Sequence, residues 1–303
     1  MSTLCKLPST VLLVLATVFL PAPAPAQDFD EVRIDTVHVR GPVYMLSGKG
    51  GNIGVLAGAE GAVLVDDQFA PLSERILAAV NAISRAPARF VINTHWHWDH
   101  AGGNEPMAQA GAVIVAHDRV RQRMGVEQFL AVVDRLQAAS PPAALPLVTF
   151  SRRSSLHLNG ERVDIIHVPR AHTDGDAIVH FADSQVIHMG DNFVTGRYPF
   201  IDRDSGGTVH GMIGAVQLAL GLCRSETKVI PGHGELANCA QLEDFGEVLY
   251  KTTNRVRRLM EQGYSLEQIQ QQKPTAEFDA RYSKGWISPE TFVEQVYYSL
   301  LAP

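Results

Sequence analysis

The chain has 303 residues, 26 Lys and Arg against 32 Asp and Glu for a net charge of −6, and 46% apolar against 19% charged residues. That balance excludes a disordered, collagen-like or low-complexity chain, and the mild acidity speaks against a nucleic-acid partner, which requires a clustered basic face. Three cysteines are too few for a disulfide scaffold, so the twelve histidines are the one compositional oddity.

Residues 1–26 read as an address. Lys6 and no acid precede the apolar run 11–20, and Ala24-Pro25-Ala26 then offers a small-x-small cleavage site before Gln27. The run is too short to cross about 30 Å of hydrocarbon, and Cys5 precedes it instead of following it, which excludes a lipoprotein anchor. The expectation is an exported protein, periplasmic or secreted, with no stable membrane anchor after cleavage. Cys223 and Cys239 remain in the mature chain. They could pair in an oxidising compartment or stand as two separate thiols.

After Gln27, short alternating apolar runs at 32–39, 43–46, 53–57 and 62–65, punctuated by Gly and Pro, predict an antiparallel meander. Leu72, Ile76, Ala79, Val80 and Ile83 share one helical face behind Pro71. Strands are expected at 90–93 and 113–115, a helix from His117 to Met124, and a Pro/Ala surface loop at 138–147. The pattern then repeats in kind, with strands at 163–168, 177–181 and 186–188, a helix over 208–222 and a strand at 228–230. Leu242, Phe245, Val248, Leu249, Val256, Leu259 and Met260 keep helical periodicity, and 291–301 forms a last helix. Strands and helices in two similar halves suggest two packed sheets with helices outside.

The decisive string is His95-Trp96-His97-Trp98-Asp99-His100-Ala101-Gly102-Gly103, at the end of an apolar strand. In an extended segment, His95, His97 and Asp99 point to one side, and the adjacent His100 reaches a second point. Imidazole and carboxylate suit zinc. Gly102-Gly103 would let the backbone turn sharply, and the two Trp side chains would wall the pocket. Three later positions share the context of a glycine-flanked loop after an apolar strand: His172, Asp191 and His233.

This combination of HxHxDH, a later His, a later Asp and a final Gly-His-Gly resembles the metallo-β-lactamase fold superfamily of hydrolases, over residues 32–235. The resemblance implies an αββα sandwich of the α/β class: two mixed, mostly antiparallel sheets packed face to face, helices outside, and a metal site at one edge. It implies one domain at 27–240, with a C-terminal helical extension, 241–303, packed on it. By motif position, His95, His97 and His172 would hold a first Zn2+, Asp99, His100 and His233 a second, and Asp191 would bridge them. A metal-bound water, its pKa lowered toward about 7, would attack a carbonyl, with Asp99 and Asp191 as the catalytic carboxylates.

The related di-iron oxygen reductases carry Glu where this chain has His97, so zinc hydrolysis is favoured. Mononuclear iron persulfide dioxygenases share HxHxDH and stay an alternative. Export points to β-lactams as the leading substrate. The best-known lactamase subclass, however, has Cys at the place of Asp191 and a substrate-binding Lys where this chain has Val194. Arg197 could supply the missing cation for a carboxylate or be an ordinary surface arginine. A bridging Asp is typical of glyoxalase II-like thioesterases and lactonases. Lys251, Arg255, Arg257 and Arg258 could mimic the glutathione-binding tail, but Arg257 and Arg258 read more simply as a solvated helix face. Asn52, beyond the Gly48–Gly51 turn at the expected rim, and Asn192 are further candidate substrate contacts or simple turn residues. His38, His117, His157, His167, His180, His188 and His210 are bystanders, or partners that fix the tautomers of the ligands. The expected partner is a small molecule, and the oligomeric state stays open.

Overall fold

Strands buried along their whole length must lie between two apolar layers, and Ala62–Val65 and Ala177–Phe181 are such strands. The computed structural model, which describes residues 28–131 and 134–301, supplies those layers. The expected export signal, residues 1–26, lies outside the described residues.

The first sheet starts with β1 (Asp35–Arg40), β2 (Val43–Ser47), β3 (Ile53–Leu56) and β4 (Ala62–Val65) as an antiparallel meander. Past the two-residue β5 (Gln68–Phe69), β6 (Ala88–Ile92) and β7 (Val113–His117) follow in parallel. A separate hairpin pairs β8 (Gln128–Leu130) with β9 (Arg135–Gln137), and β10 (Val148–Phe150) closes the sheet beside β7. The second sheet runs β11 (Arg153–Leu158), β12 (Glu161–His167), β13 (Ala177–Phe181), β14 (Val186–His188), β15 (Lys228–Ile230) and β16 (Ala237–Asn238), in that order. Only β14 and β15 are parallel in it.

Alternation along the strands divides the core into three layers. Val63 and Val65 face Val179, Phe181 and Ile230 between the sheets. Ala62 and Leu64 face the other way, onto Ile76 and Val80 of α1 (Ser73–Ile83). Ile178, Ile187 and Val229 meet Met212 and Val216 from the second sheet's outer face. The short helices α2 (Trp98–Ala101), α3 (Asn104–Gln109) and α4 (Asp118–Met124) belong to the first half. The second half carries α5 (Val209–Leu222), α6 (Cys239–Glu261), α7 (Leu266–Gln271), α8 (Ala276–Tyr282) and α9 (Pro289–Leu301). Residues of α6–α9 share one apolar cluster with α5 and the second sheet, through Phe245, Val248, Ile269, Phe278 and Val296.

The two halves are alike in plan. Each is a four-strand antiparallel meander, a helix, and a strand returning parallel to the meander's last: β4–α1–β6 and β14–α5–β15. Parallel crossovers leave the carboxyl ends of their strands at one edge, where ligands gather in such sheets. The loops after β4, β6, β14 and β15 hold Asp66, His95, Asp191 and His233.

One local expectation changes and two are made definite. The 138–147 segment is no simple surface loop: Ala144 is buried, and its carbonyl accepts a hydrogen bond from Asn104 Nδ2 at 2.9 Å. Cys223, just past α5, and Cys239, opening α6, form a disulfide with Cα atoms 6.2 Å apart, which decides between pairing and free thiols. His117 ends β7 and caps α4, its ring accepting from Arg119 N. No described helix is long and apolar enough to cross a membrane.

Candidate metal centre

β6 ends at Ile92, the chain bends through 94–96, and His97 is extended before the helical turn that follows. Residues 98–101 form a single helical turn, so Asp99 and His100 are aimed by helix geometry and not by strand alternation. Gly102 and Gly103 have ordinary right-handed helical angles; what requires glycine is space. A Cβ at Gly103 would lie 2.6 Å from the Asp67 carbonyl oxygen. Two other glycines make room for the site itself. A Cβ at Gly51 would enter the His100 ring at 2.2 Å, and one at Gly232 would meet Asp191 Oδ1 at 2.1 Å.

The structure brings all seven sequence-predicted ligands together. Three overlapping groups have donor atoms within 4.8 Å of one another: His95, His97 and His172; His95, His100 and Asp191; and Asp99, His100 and His233. His172 Nε2 lies 3.0 Å from His97 Nδ1, and His100 Nε2 lies 3.2 Å from His233 Nε2. His95 Nε2 is buried without a hydrogen-bond partner, while Asp191 Oδ1 is buried against His100 Nε2 and His233 Nε2 at 3.2 and 3.4 Å. An orphaned buried ring nitrogen is costly. Orphaned lone pairs among converging imidazoles are what a divalent cation satisfies, so the residues fit the metal that the sequence implies.

Four groups that sequence reasoning did not single out hold the rings. Asp66 accepts from Thr94 N and Thr94 Oγ1 at 2.7 and 2.8 Å, and its Oδ2 lies 2.7 Å from His100 Nδ1. Thr94 Oγ1 sits 3.0 Å from His95 Nδ1. Asp202 Oδ2 lies 2.8 Å from His97 Nε2, and the Phe200 carbonyl accepts from His172 Nδ1 at 2.8 Å. Each contact occupies one ring nitrogen and turns the other inward. Asp66-Asp67, a pair of acids ending a wholly apolar strand, was the available signal for the first. Asp66 holds φ +67°, a conformation that costs energy unless its surroundings over-determine it.

Charge separates the ligands. Burial and the neighbouring imidazoles push His95 well below the usual histidine value, and burial takes His172 down to about 4. Both are neutral, with lone pairs to give. Burial pushes His233 down as well, but Asp191 and Asp99 outweigh it and raise it to about 9. Burial pushes Asp99 up, yet His100 and His233 hold its carboxyl at about 2. The two carboxylates call for positive charge in their midst, which a bound cation would supply with the imidazoles neutral.

The ligands open onto a cleft of about 350 Å3, lined on one side by His97, Asp99, Asp191 and His233. Arg197 reaches its wall. Asn52 and Asn192 do not. Asn52 Nδ2 donates to the Pro231 and Gly234 carbonyls, and Asn192 Nδ2 to the Met189 carbonyl. Both are buried and tie the ligand loops together, so their amides are spent on backbone. Trp96 is wholly buried, its indole bonded to Ser205, and only Trp98 of the two lines the cleft. The basic tail residues are engaged elsewhere: Lys251 with Glu247, Arg255 with Glu277, and Arg257 with His210. His188 bonds the Asn52 carbonyl and is a brace for the rim, not a ligand.

The chain is similar to several known proteins. A hydroxyacylglutathione hydrolase of Erythrobacter litoralis is 28% identical over 101 residues, 33% of this chain and 32% of that enzyme. The 2,4-dinitroanisole O-demethylase subunit alpha of Nocardioides sp. is 24% identical over 180 residues, 58% of this chain and 51% of the relative. The chain thus spans about half or less of the length of these curated relatives. Among solved structures, a metallo-beta-lactamase from Pontibacter korlensis superposes with a TM-score of 0.60 at 17% identity, over 72% of this chain and 99% of that one. FIM-1 of Pseudomonas aeruginosa, solved in its mono-zinc form, superposes at 0.56 and 19% identity, over 73% and 96%. At such identities the likeness carries the sandwich fold alone. The family model of the metallo-beta-lactamase superfamily matches residues 46–233, from β2 through the last of the seven ligands, and the chain belongs to that superfamily.

Proposed function

We propose that the chain is a two-zinc hydrolase that opens a cyclic amide or ester, with a β-lactam as the first substrate to test, and that it works outside the cytoplasm. The observation that carries the reading is the convergence of three imidazoles and, beside them, Asp99, His100 and His233 around Asp191, with His95 Nε2 left without a hydrogen-bond partner. His95, His97 and His172 would hold one ion, Asp99, His100 and His233 the other, and Asp191 would lie between. When bound, such ions lower the pKa of a coordinated water toward neutrality and polarise a carbonyl oxygen.

The chain's own residues do the rest. Asp99, its side chain 24% exposed at the cleft, orients a water and carries a proton toward the leaving group. Arg197 receives a carboxylate of the substrate. The Cys223–Cys239 disulfide supports the extracytoplasmic placement, because such bonds persist in oxidising compartments. A lactone or thioester is the second reading. Asp191 and Val194 stand where lactamases carry other residues, and one distant relative is a hydroxyacylglutathione hydrolase. The glutathione form of that reading finds no support in the basic tail, whose Lys251, Arg255 and Arg257 are paired away from the cleft.

The test is a metal count on the purified protein, followed by hydrolysis of a chromogenic cephalosporin with and without chelator. About two zinc per chain and chelator-sensitive turnover at kcat/KM near or above ~10⁴ M⁻¹s⁻¹ is the expected result. Two zinc without turnover moves the substrate to lactones and thioesters. One iron and no zinc ends the hydrolase reading in favour of oxygen chemistry.

A further inference from the structure

The family match ends at residue 233, yet a segment some fifty residues later reaches the cleft. Tyr198 N donates to the Tyr282 carbonyl at 2.9 Å, and Arg197 forms an antiparallel bridge with Ser283. Gly285 lies against the Arg197 stem, where a Cβ would come within 2.7 Å of the arginine's own. Ile287 is 1% exposed and anchors the turn in the core. Its neighbour Trp286 projects the other way, 58% exposed, and lines the cleft.

An exposed indole beside a polar site calls for an account, because so large an apolar surface is unfavourable in water. Trp286 is not isolated. Its ring centroid is 5.3 Å from Phe200, and the Phe200 ring stacks on His97 at 6.1 Å and 21°. Trp98, 6.3 Å from His97, lines the same cleft, as do Phe69 and Leu130. An aromatic path therefore runs from the C-terminal segment to a metal-ligating ring, with Arg197 beside it.

We infer that Trp286 is a substrate-binding residue, an aromatic platform for a planar apolar substituent of an anionic substrate, and that the C-terminal segment thereby sets specificity. This rests on the hydrolase reading for the reaction, but the binding itself is measured without turnover. Offset or edge contact between rings is favourable by roughly 0.5–1.5 kcal/mol beyond burial, which converts to about two- to twelvefold in Kd. The cleft would prefer aryl-bearing substrates to alkyl ones of equal charge.

The experiment titrates the full chain with 2-naphthoate by calorimetry and tryptophan fluorescence, for the wild type, Trp286→Ala and Trp286→Phe. Saturable binding is expected, weakened about three- to tenfold by the Ala change and restored within about twofold by Phe, with the fluorescence change reduced in both variants. The position is exposed, so both variants should fold, and an unchanged metal count checks that the ligand set is intact. No saturable binding to the wild type, or equal Kd values for wild type and Trp286→Ala, overturns the inference. Naphthoate binding that depends on Trp286, in a protein that holds zinc and hydrolyses nothing, would discard the hydrolase reading and leave the aromatic platform standing.

Discussion

The ligand set has a closed half and an open half. His95, His97 and His172 are 1%, 5% and 0% exposed, and each has its second ring nitrogen occupied, by Thr94, Asp202 and the Phe200 carbonyl. Asp99, Asp191 and His233 have side chains 24%, 13% and 22% exposed and line the cleft, and only His100, backed by Asp66, is fully enclosed in that half. The closed half is all imidazole, and burial keeps His95 and His172 neutral. The open half carries both carboxylates. One loop, residues 94–100, thus feeds both halves, placing His95 and His97 in the buried imidazole cluster and Asp99 at the cleft.

His95 and His100 each belong to two of the three donor groups, and His95 is the one in the closed half, so it is where the comparison breaks hardest. His95→Ala should cost about a thousandfold or more in kcat/KM, on the order of 4 kcal/mol, and lower the metal count, read by elemental analysis. A full metal complement in that variant would remove His95 from the ligand set. The disulfide is the contrasting case, a large effect placed away from the cleft. It closes a loop with a sequence separation of 16 residues. Cys223→Ser should destabilise by about 3 kcal/mol, seen as a lower Tm, while metal content and KM stay as they were. A loss of metal would show that the α5–α6 junction supports the centre after all. Next come the backing carboxylates. Asp202→Ala should weaken metal retention in the closed half about 10- to 100-fold, and Asp66→Ala should do the same for the open half. Chelator competition separates them: the two variants should lose different ions of the pair, and identical release curves would mean that the halves are one unit.

How much of this was legible is clearest residue by residue. The ligand positions could be read because HxHxDH packs chemistry into six consecutive residues, and because glycine-flanked loops after apolar strands recur at His172, Asp191 and His233. The sandwich could be read because strands and helices recur in two similar halves, and because the HxHxDH resemblance implies that fold. Asp202 could not, since its role depends on a loop from the second half crossing to His97, a contact separated by 105 residues. Asn52 and Asn192 could not be decided between substrate contact and turn role for a related reason. Their types suit a carbonyl or carboxylate contact, but only the folded chain shows their amides spent on Pro231, Gly234 and Met189. The helical turn at 98–101 was hidden because alternation and helix both bring Asp99 near His95, and four residues are too few for periodicity to choose.

The smallest expected effect tests whether acid sensitivity belongs to the ligand histidines alone. His117 and His167, at the ends of β7 and β12, stack face to face at 3.7 Å and 9°, joining the two sheets outside the ligand set. His117 Nε2 lies 3.0 Å from the Ser151 carbonyl while its Nδ1 accepts from Arg119 N, so the ring has no room for a second proton. His167 Nδ1 meets the Asp176 carbonyl at 2.8 Å. Burial, against the pull of Asp118 and Asp174, leaves both rings below the usual histidine value. With folded pKa values below the unfolded one, near about 6.5, the unfolded chain takes up protons first as the solution is acidified. The pair's contribution is present above that unfolded value and is lost as pH falls through the folded values. His117→Asn keeps a good cap for α4 and removes one of the two titrating rings. The fall in Tm between neutral and mildly acidic pH should then be shallower than in the wild type, by on the order of 1–3 °C, at equal metal content. Parallel Tm curves for the two proteins would assign the acid sensitivity to the metal ligands and leave the stack as packing.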